Sequence, residues 1–173
     1  MAADFIIRPV RADDAEQMLA IMRSVADEPH NGILYSRMDA LRSVEEQRRV
    51  IEQRMAAPNC TILAAEVEGR MVGYVSCSGG LITATQHTVG LGITIEKAWR
   101  DQGIGTALMR RAVEWAHSNP MVKRLELDVM TYNPRAQHIY EKVGFQAEGI
   151  KRQVYFKDGQ FVDALIMAIV FER

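Results

Sequence analysis

The fold of this chain is decided by residues 91–117, LGITIEKAWRDQGIGTALMRRAVEWAH. An apolar run ends at Ile95, a short polar turn follows, and Gly103 and Gly105 precede a new apolar pattern. That pattern has the spacing of one helix face, with apolar side chains at Ile104, Leu108, Ala112 and Trp115. The stretch therefore predicts a strand, a glycine turn and the beginning of an amphipathic helix.

A helix that begins at a glycine turn can bind an anion. Its first N–H groups have no partner within the helix, and the peptide dipoles place partial positive charge there. Gly103 and Gly105 let a phosphate approach the backbone without interference from a Cβ atom, and Arg100 can add a cationic fork. The alternative is an ordinary connection from strand to helix, in which the glycines serve only the turn.

Two common phosphate-binding motifs do not fit this stretch. The dinucleotide fingerprint needs a third glycine where this chain has Leu108, and the Gly-Lys-Ser/Thr of a P-loop is absent. The spacing Arg-x-x-Gly-x-Gly at residues 100–105 instead resembles the coenzyme A pyrophosphate loop of GNAT-family N-acetyltransferases.

Composition limits the class of protein. With 173 residues the chain is long enough for one well-packed domain, which we expect to span residues 1–173. A net charge of −1 gives no electrostatic support for binding nucleic acid or a membrane, so small molecules or peptides are better partners. The N-terminal segment lacks a signal-peptide pattern, and Cys60 and Cys77 lie in apolar segments without a metal or redox motif. We therefore expect a cytoplasmic protein with free, buried thiols.

Apolar periodicities and turn residues predict the element order βααβββαβαββ. Two capping-box pairs mark the first two helices, namely Asp13 with Glu16 and Ser43 with Glu46. Residues 27–42 lack sustained periodicity, which predicts a long loop or a broken helix. The order predicts an α/β (α+β) fold, with a mixed, mostly antiparallel twisted sheet of about seven strands flanked by about four helices.

A second motif lies at residues 133–145, NPRAQHIYEKVGF. Asn133 and Pro134 predict a helix start, because asparagine caps N-termini and proline favours the first helical position. The segment is similar to the GNAT pattern Asn-x-x-Ala-x-x-x-Tyr-x-x-x-Gly-Phe. Together the two motifs carry the resemblance over residues 91–149, and the tail at 155–171 resembles more weakly the members that act on amino acids and similar small amines.

The resemblance implies acetyl-CoA as co-substrate and a set of binding residues. Backbone groups at 93–95 would pair with pantetheine, because a splay between this strand and the one at 123–130 would leave them free. Amides of residues 100–106 would hold the pyrophosphate, and Asn133 would combine cofactor contact with capping. The implied cofactor-binding residues are Ile93, Thr94, Ile95, Arg100, Asp101, Gln102, Gly103, Ile104, Gly105, Thr106, Asn133 and Tyr140. Tyr140 is also the implied general acid for the departing thiolate, and its spacing alone is equally typical of a core position.

The sequence does not single out a general base. The strand before the loop has no carboxylate between Thr88 and Ile95, so Glu96, Glu126 and Asp128 are the candidates, each equally consistent with an ordinary surface charge. His87 and His138 suggest surface positions, and we predict no metal site. In the loop at 27–42, the acids Asp27 and Glu28 could attract an ammonium group, and Arg37 or Arg42 a carboxylate.

The leading functional hypothesis is an acetyl-CoA-dependent N-acetyltransferase that acts on a small amine by direct transfer within a ternary complex. One alternative is acetylation of a protein N-terminus, which would need an open peptide groove. Another is a non-catalytic domain that binds coenzyme A as a sensor. A homodimer is a further prediction from the apolar final strand at 164–171, although a strand in the middle of a sheet has the same composition.

Overall fold

The computed structural model describes residues 4–28, 31–33 and 38–172. The strands are β1 Ile6–Pro9, β2 Thr61–Val67, β3 Arg70–Gly79, β4 Thr88–Ile95, β5 Arg124–Met130, β6 Gln146–Lys157 and β7 Gln160–Val170. The helices are α1 Ala15–Ala26, α2 Val44–Ala56, α3 Ile104–Ser118 and α4 Pro134–Lys142. Short 3₁₀ turns cover Ala12–Asp14, Met38–Ala40 and Lys97–Trp99. The predicted element order and fold class are confirmed.

The strands form one sheet in the order β1-β2-β3-β4-β5-β7-β6. All neighbours are antiparallel except β4 and β5, which are parallel because α3 connects them. The interior place of β7 between β5 and β6 explains its apolar composition. The homodimer therefore stays a prediction without support from that strand.

Helices cover both faces of the sheet. On one face α3 contributes Leu108, Met109 and Ala112 to a core that includes Val75 and Leu125. On the other face α1 and α2 pack Leu19, Met22 and Ile51 against Ile62 and Tyr74. No helix in the described part of the chain combines the length and apolar character needed to cross a membrane.

The two predicted capping boxes have different outcomes. Ser43 caps α2 as expected, because its hydroxyl accepts the Glu46 N–H at 3.2 Å while Glu46 accepts the Ser43 N–H at 2.7 Å. The Asp13 and Glu16 box is wrong. A 3₁₀ turn precedes α1, its Asp14 carboxylate accepts the Arg11 N–H at 2.7 Å, and Asp13 instead binds Arg48.

Both cysteines are free thiols. Cys77 on β3 is buried, and burial raises the pKa of its thiol to about 12. The thiol therefore stays protonated, and the thiolate is the nucleophilic form of cysteine. Cys60 is only half-buried, which corrects the expectation that both thiols are buried.

Candidate functional site

The two parallel strands diverge in the middle of the sheet. Pairing between β4 and β5 is limited to Thr88 with Arg124, Val89 with Leu125 and Gly90 with Glu126. Beyond Gly90, β4 remains paired with β3 as far as Ile95, but it is no longer paired with β5. The predicted splay is therefore present, and it opens a cleft between the strands.

The turn between β4 and α3 presents a row of backbone amides. Asp101 and Gly103 have positive φ values of 63° and 85°. Among the described residues, none of the amides of 101–106 donates to a backbone carbonyl, and Ala107 is the first to do so, bonding the Gly103 carbonyl at 3.0 Å. Amides in alternating conformations of this kind form an anion-binding concavity.

Gly105 lets α3 begin close to the end of β4. A Cβ atom on Gly105 would lie 3.3 Å from Cδ1 of Ile95 and 3.8 Å from Cδ1 of Ile139. Ile104 beside it is 1% exposed and belongs to the core, so only its backbone can serve a ligand. Two other predicted side chains of the turn have local partners, since Asp101 pairs with Arg135 at 2.9 Å and Gln102 donates to the Ala98 carbonyl at 2.9 Å.

The side chain of Arg100 is held by partners at both ends of the cleft segment that it joins. Its guanidinium donates to the Glu28 carboxylate at 2.6 and 2.8 Å and to the Ile95 carbonyl at 2.8 and 3.0 Å. Both carboxylate oxygens of Glu28 are thus engaged by Arg100, and attraction of an ammonium group by Glu28 stays a prediction. A phosphate contact by Arg100 stays a prediction.

Two adjoining cavities meet at the splay. The larger has a volume of about 540 Å³ and extends between β5, β6 and the helices α1 and α2. The smaller, of about 410 Å³, extends along the end of β4 towards Gly105, Asn133 and Arg100. The residues that line both are Gly32, Ile33, Ile93, Thr94 and Tyr140.

Tyr140 lies at the junction of the cavities. The residue is 9% exposed, and its ring packs against Phe145 with centroids 6.1 Å apart. Burial raises the pKa of its phenol to about 12, so the hydroxyl keeps its proton at neutral pH. Tyr140 is therefore buried like a core residue and also lines the cleft, so the two roles considered from the sequence are compatible.

Asn133 caps α4 as predicted, since its Oδ1 accepts the Ala136 N–H at 3.1 Å.

The larger cavity carries positive charge on one wall. Arg54 of α2 donates to the Ser76 hydroxyl, and no carboxylate among the described residues pairs with it. Arg42 lies on the same wall, where Gln47 accepts a hydrogen bond from its guanidinium at 3.2 Å. Arg42 was a predicted carboxylate ligand, whereas Arg37 lies outside the described residues.

Two of the three candidate bases line the opposite wall. They are Glu126 and Asp128 of β5. Glu96 lies outside the lining of both cavities, where its carboxylate binds Arg70 at 2.7 Å. Asp27 also lines neither cavity. Within the described ranges, no three His, Cys, Asp or Glu side chains cluster as they would around a metal ion.

Sequence reasoning missed Arg54, Lys151 and Tyr155, which all line the larger cavity. Arg54 continues the inward stripe of α2 after Gln47 and Ile51, and a charged residue on such a stripe is a signal that could have identified it. No comparable signal exists for the two β6 residues, because they reach the cavity through the pairing of β6 with β7.

Residues 31–33, which we call the strap, cover the junction of the cavities. Asn31 donates to the Glu28 carbonyl at 2.8 Å, and the ammonium of Lys157 binds the Asn31 side chain and the Ile33 carbonyl. Burial lowers the pKa of that ammonium. Gly32 packs so closely on Asn133 that a Cβ atom would lie 2.4 Å from its Nδ2. The strap is therefore fixed by α4 and by the β6–β7 hairpin.

Comparison with known proteins agrees with this architecture. The model of the acetyltransferase (GNAT) family matches residues 26–145. An L-amino acid N-acetyltransferase of Escherichia coli (strain K12) is 32% identical over 120 residues, which cover 69% of this chain and 74% of that protein. A putative [ribosomal protein bS18]-alanine N-acetyltransferase of Bacillus subtilis (strain 168) is 34% identical over 116 residues, 67% of this chain and 72% of that protein.

A solved structure extends the similarity to nearly the whole chain. The crystal structure of a GNAT-family acetyltransferase from Streptococcus pneumoniae has a TM-score of 0.92 at 27% identity and covers 98% of this chain and 100% of its own. The two proteins therefore share one fold. This chain is a member of the GNAT family of acetyltransferases, and it is an N-acetyltransferase whose acetyl donor is acetyl-CoA.

Proposed function

We propose that this protein transfers the acetyl group of acetyl-CoA to the primary amine of an amino acid or a closely related small molecule, by direct transfer within a ternary complex. The observation that carries the proposal is the charge distribution of the larger cavity. Arg54 binds Ser76 of β3, whereas Glu126 and Asp128 lie on β5, on the other side of β4, with the Lys151 ammonium beside Asp128. A zwitterionic amino acid has the same separation of charge.

The smaller cavity would receive the acetyl donor. The amides of residues 101–106 would hold the pyrophosphate, Thr106 would add its hydroxyl, and the backbone at Ile93–Ile95 would contact the pantetheine arm. Asn133 and Tyr140 line the same route. This arrangement would bring the thioester to the junction, where an amine from the larger cavity can attack it.

The transfer needs an acid at that junction. The amine nitrogen forms a bond to the acetyl carbon, the carbon–sulfur bond breaks, and the departing thiolate takes the phenolic proton of Tyr140. A phenol whose pKa is about 12 is always protonated at neutral pH, but it gives up that proton only when transfer accompanies bond cleavage.

Arg54 distinguishes amino acids from other amines. A peptide N-terminus has an amide in place of the α-carboxylate, and a polyamine has no carboxylate. The Arg54 guanidinium has no carboxylate partner among the described residues. It is therefore stabilised most by an acceptor substrate that itself carries a carboxylate. The strap also restricts the junction, whereas a protein N-terminus needs an open groove.

Replacement of Arg54 by methionine is expected to raise KM for an amino acid about tenfold, because a charge-assisted hydrogen bond contributes about 1.5–3 kcal/mol. KM for the corresponding amino-acid amide should change little. Thiol release from acetyl-CoA, measured with a panel of amino acids, their amides, polyamines and a bS18-type peptide, provides both values.

The matched control is Arg49→Met, since Arg49 lies on the same helix, pairs with Glu45 at 3.4 Å and lines neither cavity. This control should leave KM for the amino acid and KM for its amide unchanged. If the wild-type protein acetylates the peptide faster than every free amino acid, the proposed substrate class is wrong.

A further inference from the structure

The larger cavity has its carboxylates on β5 and none on β4. β4 carries no carboxylate between Thr88 and Ile95, so the strand that contacts the cleft cannot accept a proton from the acceptor. Glu126 and Asp128 supply the carboxylates of the larger cavity. Both lie on one face of β5, because side chains two residues apart point to the same side of a strand.

The two carboxylates have different surroundings. Glu126 is 37% exposed, and Arg124, two residues earlier on the same strand, binds it at 2.6 Å. Asp128 is 15% exposed and lies two residues beyond the last β4–β5 pair, in the splayed region. Asp128 is therefore the carboxylate at the cleft, and Glu126 is the one at the point where the strands still pair.

Two β6 side chains hold Asp128. The hydroxyl of Tyr155 donates to its Oδ2 at 2.7 Å, and the Lys151 ammonium lies 2.9 and 3.1 Å from its two oxygens. A carboxylate has about four acceptor positions, and these contacts use three of them. One acceptor position of the carboxylate therefore remains for a further donor.

A β-bulge makes this arrangement possible. Lys151 and Tyr155 pair with Ala164 and Val162, so four residue steps on β6 face two steps on β7. A regular strand would separate the two Cα atoms by about 13 Å, and the bulge brings them towards the two-residue spacing of about 7 Å. Gln153 within the bulge has a φ of 53°, and its N–H donates to Asp163 at 2.7 Å. The bulge thus places the Lys151 and Tyr155 donors next to the Asp128 carboxylate.

The geometry points to Asp128 as the residue that binds the acceptor ammonium and accepts its proton, with Tyr155 and Lys151 as positioning residues. This inference rests on the proposed transfer to an amine. One proton of the ammonium passes to Asp128 and then to solvent, which leaves a neutral amine that attacks the thioester. A second proton leaves the nitrogen as the amide forms and restores Tyr140, whose own proton has gone to the thiolate.

Other charged or titratable groups face the same cavity and belong to any account of its pH dependence. They are Glu126 on β5, Lys151 and Tyr155 on β6, Tyr140 on α4, Tyr74 on β3, Arg54 on α2 and Arg42 before α2. Burial and the bond to Asp128 raise the pKa of Tyr155, so this phenol remains a donor over the whole range of an assay.

Asp128→Asn is expected to lower kcat/KM for the acceptor about tenfold at pH 7. The deficit should shrink as pH rises, because the variant depends on neutral amine that has already formed in solution. Calorimetry should give an unchanged Kd for acetyl-CoA, which excludes misfolding. Glu148→Gln is the matched control, since Glu148 binds Arg124 and lines neither cavity. The proposal would be overturned if kcat/KM of Asp128→Asn equalled that of the wild-type protein at every pH. It would also be overturned if Glu126→Gln lowered kcat/KM more than Asp128→Asn does.

The positioning role has its own readout. Tyr155→Phe removes one donor from the carboxylate, so the acidic limb of the kcat/KM profile should move to higher pH, with a loss of only a few-fold at the plateau. An unmoved limb with a lower Tm would make Tyr155 merely structural and contradict its assignment. Absence of thiol release by the wild-type protein with every amine would instead count against the proposed function.

Discussion

Replacing Gly103 with valine is expected to weaken acetyl-CoA binding about 100-fold while the domain stays folded. Gly103 has a φ of 85°, which a β-branched residue adopts only with strain of about 1–3 kcal/mol. The strain is relieved when the turn changes shape, and the amides of residues 101–106 then no longer converge on one anion. Isothermal calorimetry with acetyl-CoA and with coenzyme A measures the loss.

Gly69→Val is the matched control for this substitution. Gly69 lies between β2 and β3 with a φ of 79°, and a Cβ atom there would meet nothing within 4 Å, as at Gly103. The two variants should lose similar stability in thermal unfolding, but only Gly103→Val should lose affinity. Equal affinities in both variants would show that the turn does not hold the pyrophosphate.

Tyr140→Phe is expected to lower kcat about 100-fold with little change in the Kd of acetyl-CoA. Phenylalanine keeps the buried ring beside Phe145 and removes only the hydroxyl at the junction of the cavities. Because the pKa of Tyr140 is about 12, the wild-type rate should show no loss from deprotonation of this phenol below about pH 11. Steady-state thiol release from pH 6 to pH 10 measures kcat of the variant and the pH dependence of the wild-type rate.

Phe145→Leu separates packing from proton transfer. Phe145 is 3% exposed and packs against Tyr140, but it has no group that can donate a proton. We expect this variant to lose stability, by about 1–3 kcal/mol, and to keep kcat within about twofold. If Tyr140→Phe keeps full turnover, Tyr140 is a core residue and the thiolate receives its proton elsewhere.

Local patterns were sufficient for the framework of the site. The glycine turn predicted the start of α3, and the Asn-Pro pair predicted the cap of α4, because both depend on the conformation of a few consecutive residues. The splay was expected from family resemblance and is present between β4 and β5. Residue types and short spacings were therefore enough to predict the local structure around the proposed cofactor site.

The acceptor side depends on contacts between distant parts of the chain. Arg100 binds Glu28, 72 residues away in sequence, and that pairing cannot be derived from either local pattern. Asp128 receives its donors across β7, and their spacing depends on a bulge that shifts the strand register. Periodicity shows which face a residue occupies, but it does not show which residue on another strand lies opposite.

The strap gives the two substrates a common wall. Gly32 and Ile33 line both cavities, so any displacement of the strap by one substrate changes the contacts available to the other. Thermodynamic linkage then requires reciprocity, in which acetyl-CoA changes the affinity for the acceptor by the same factor as the acceptor changes the affinity for acetyl-CoA. Because Lys157 of the β6–β7 hairpin binds the strap, we expect it to take part in that cooperativity without contacting the reacting atoms.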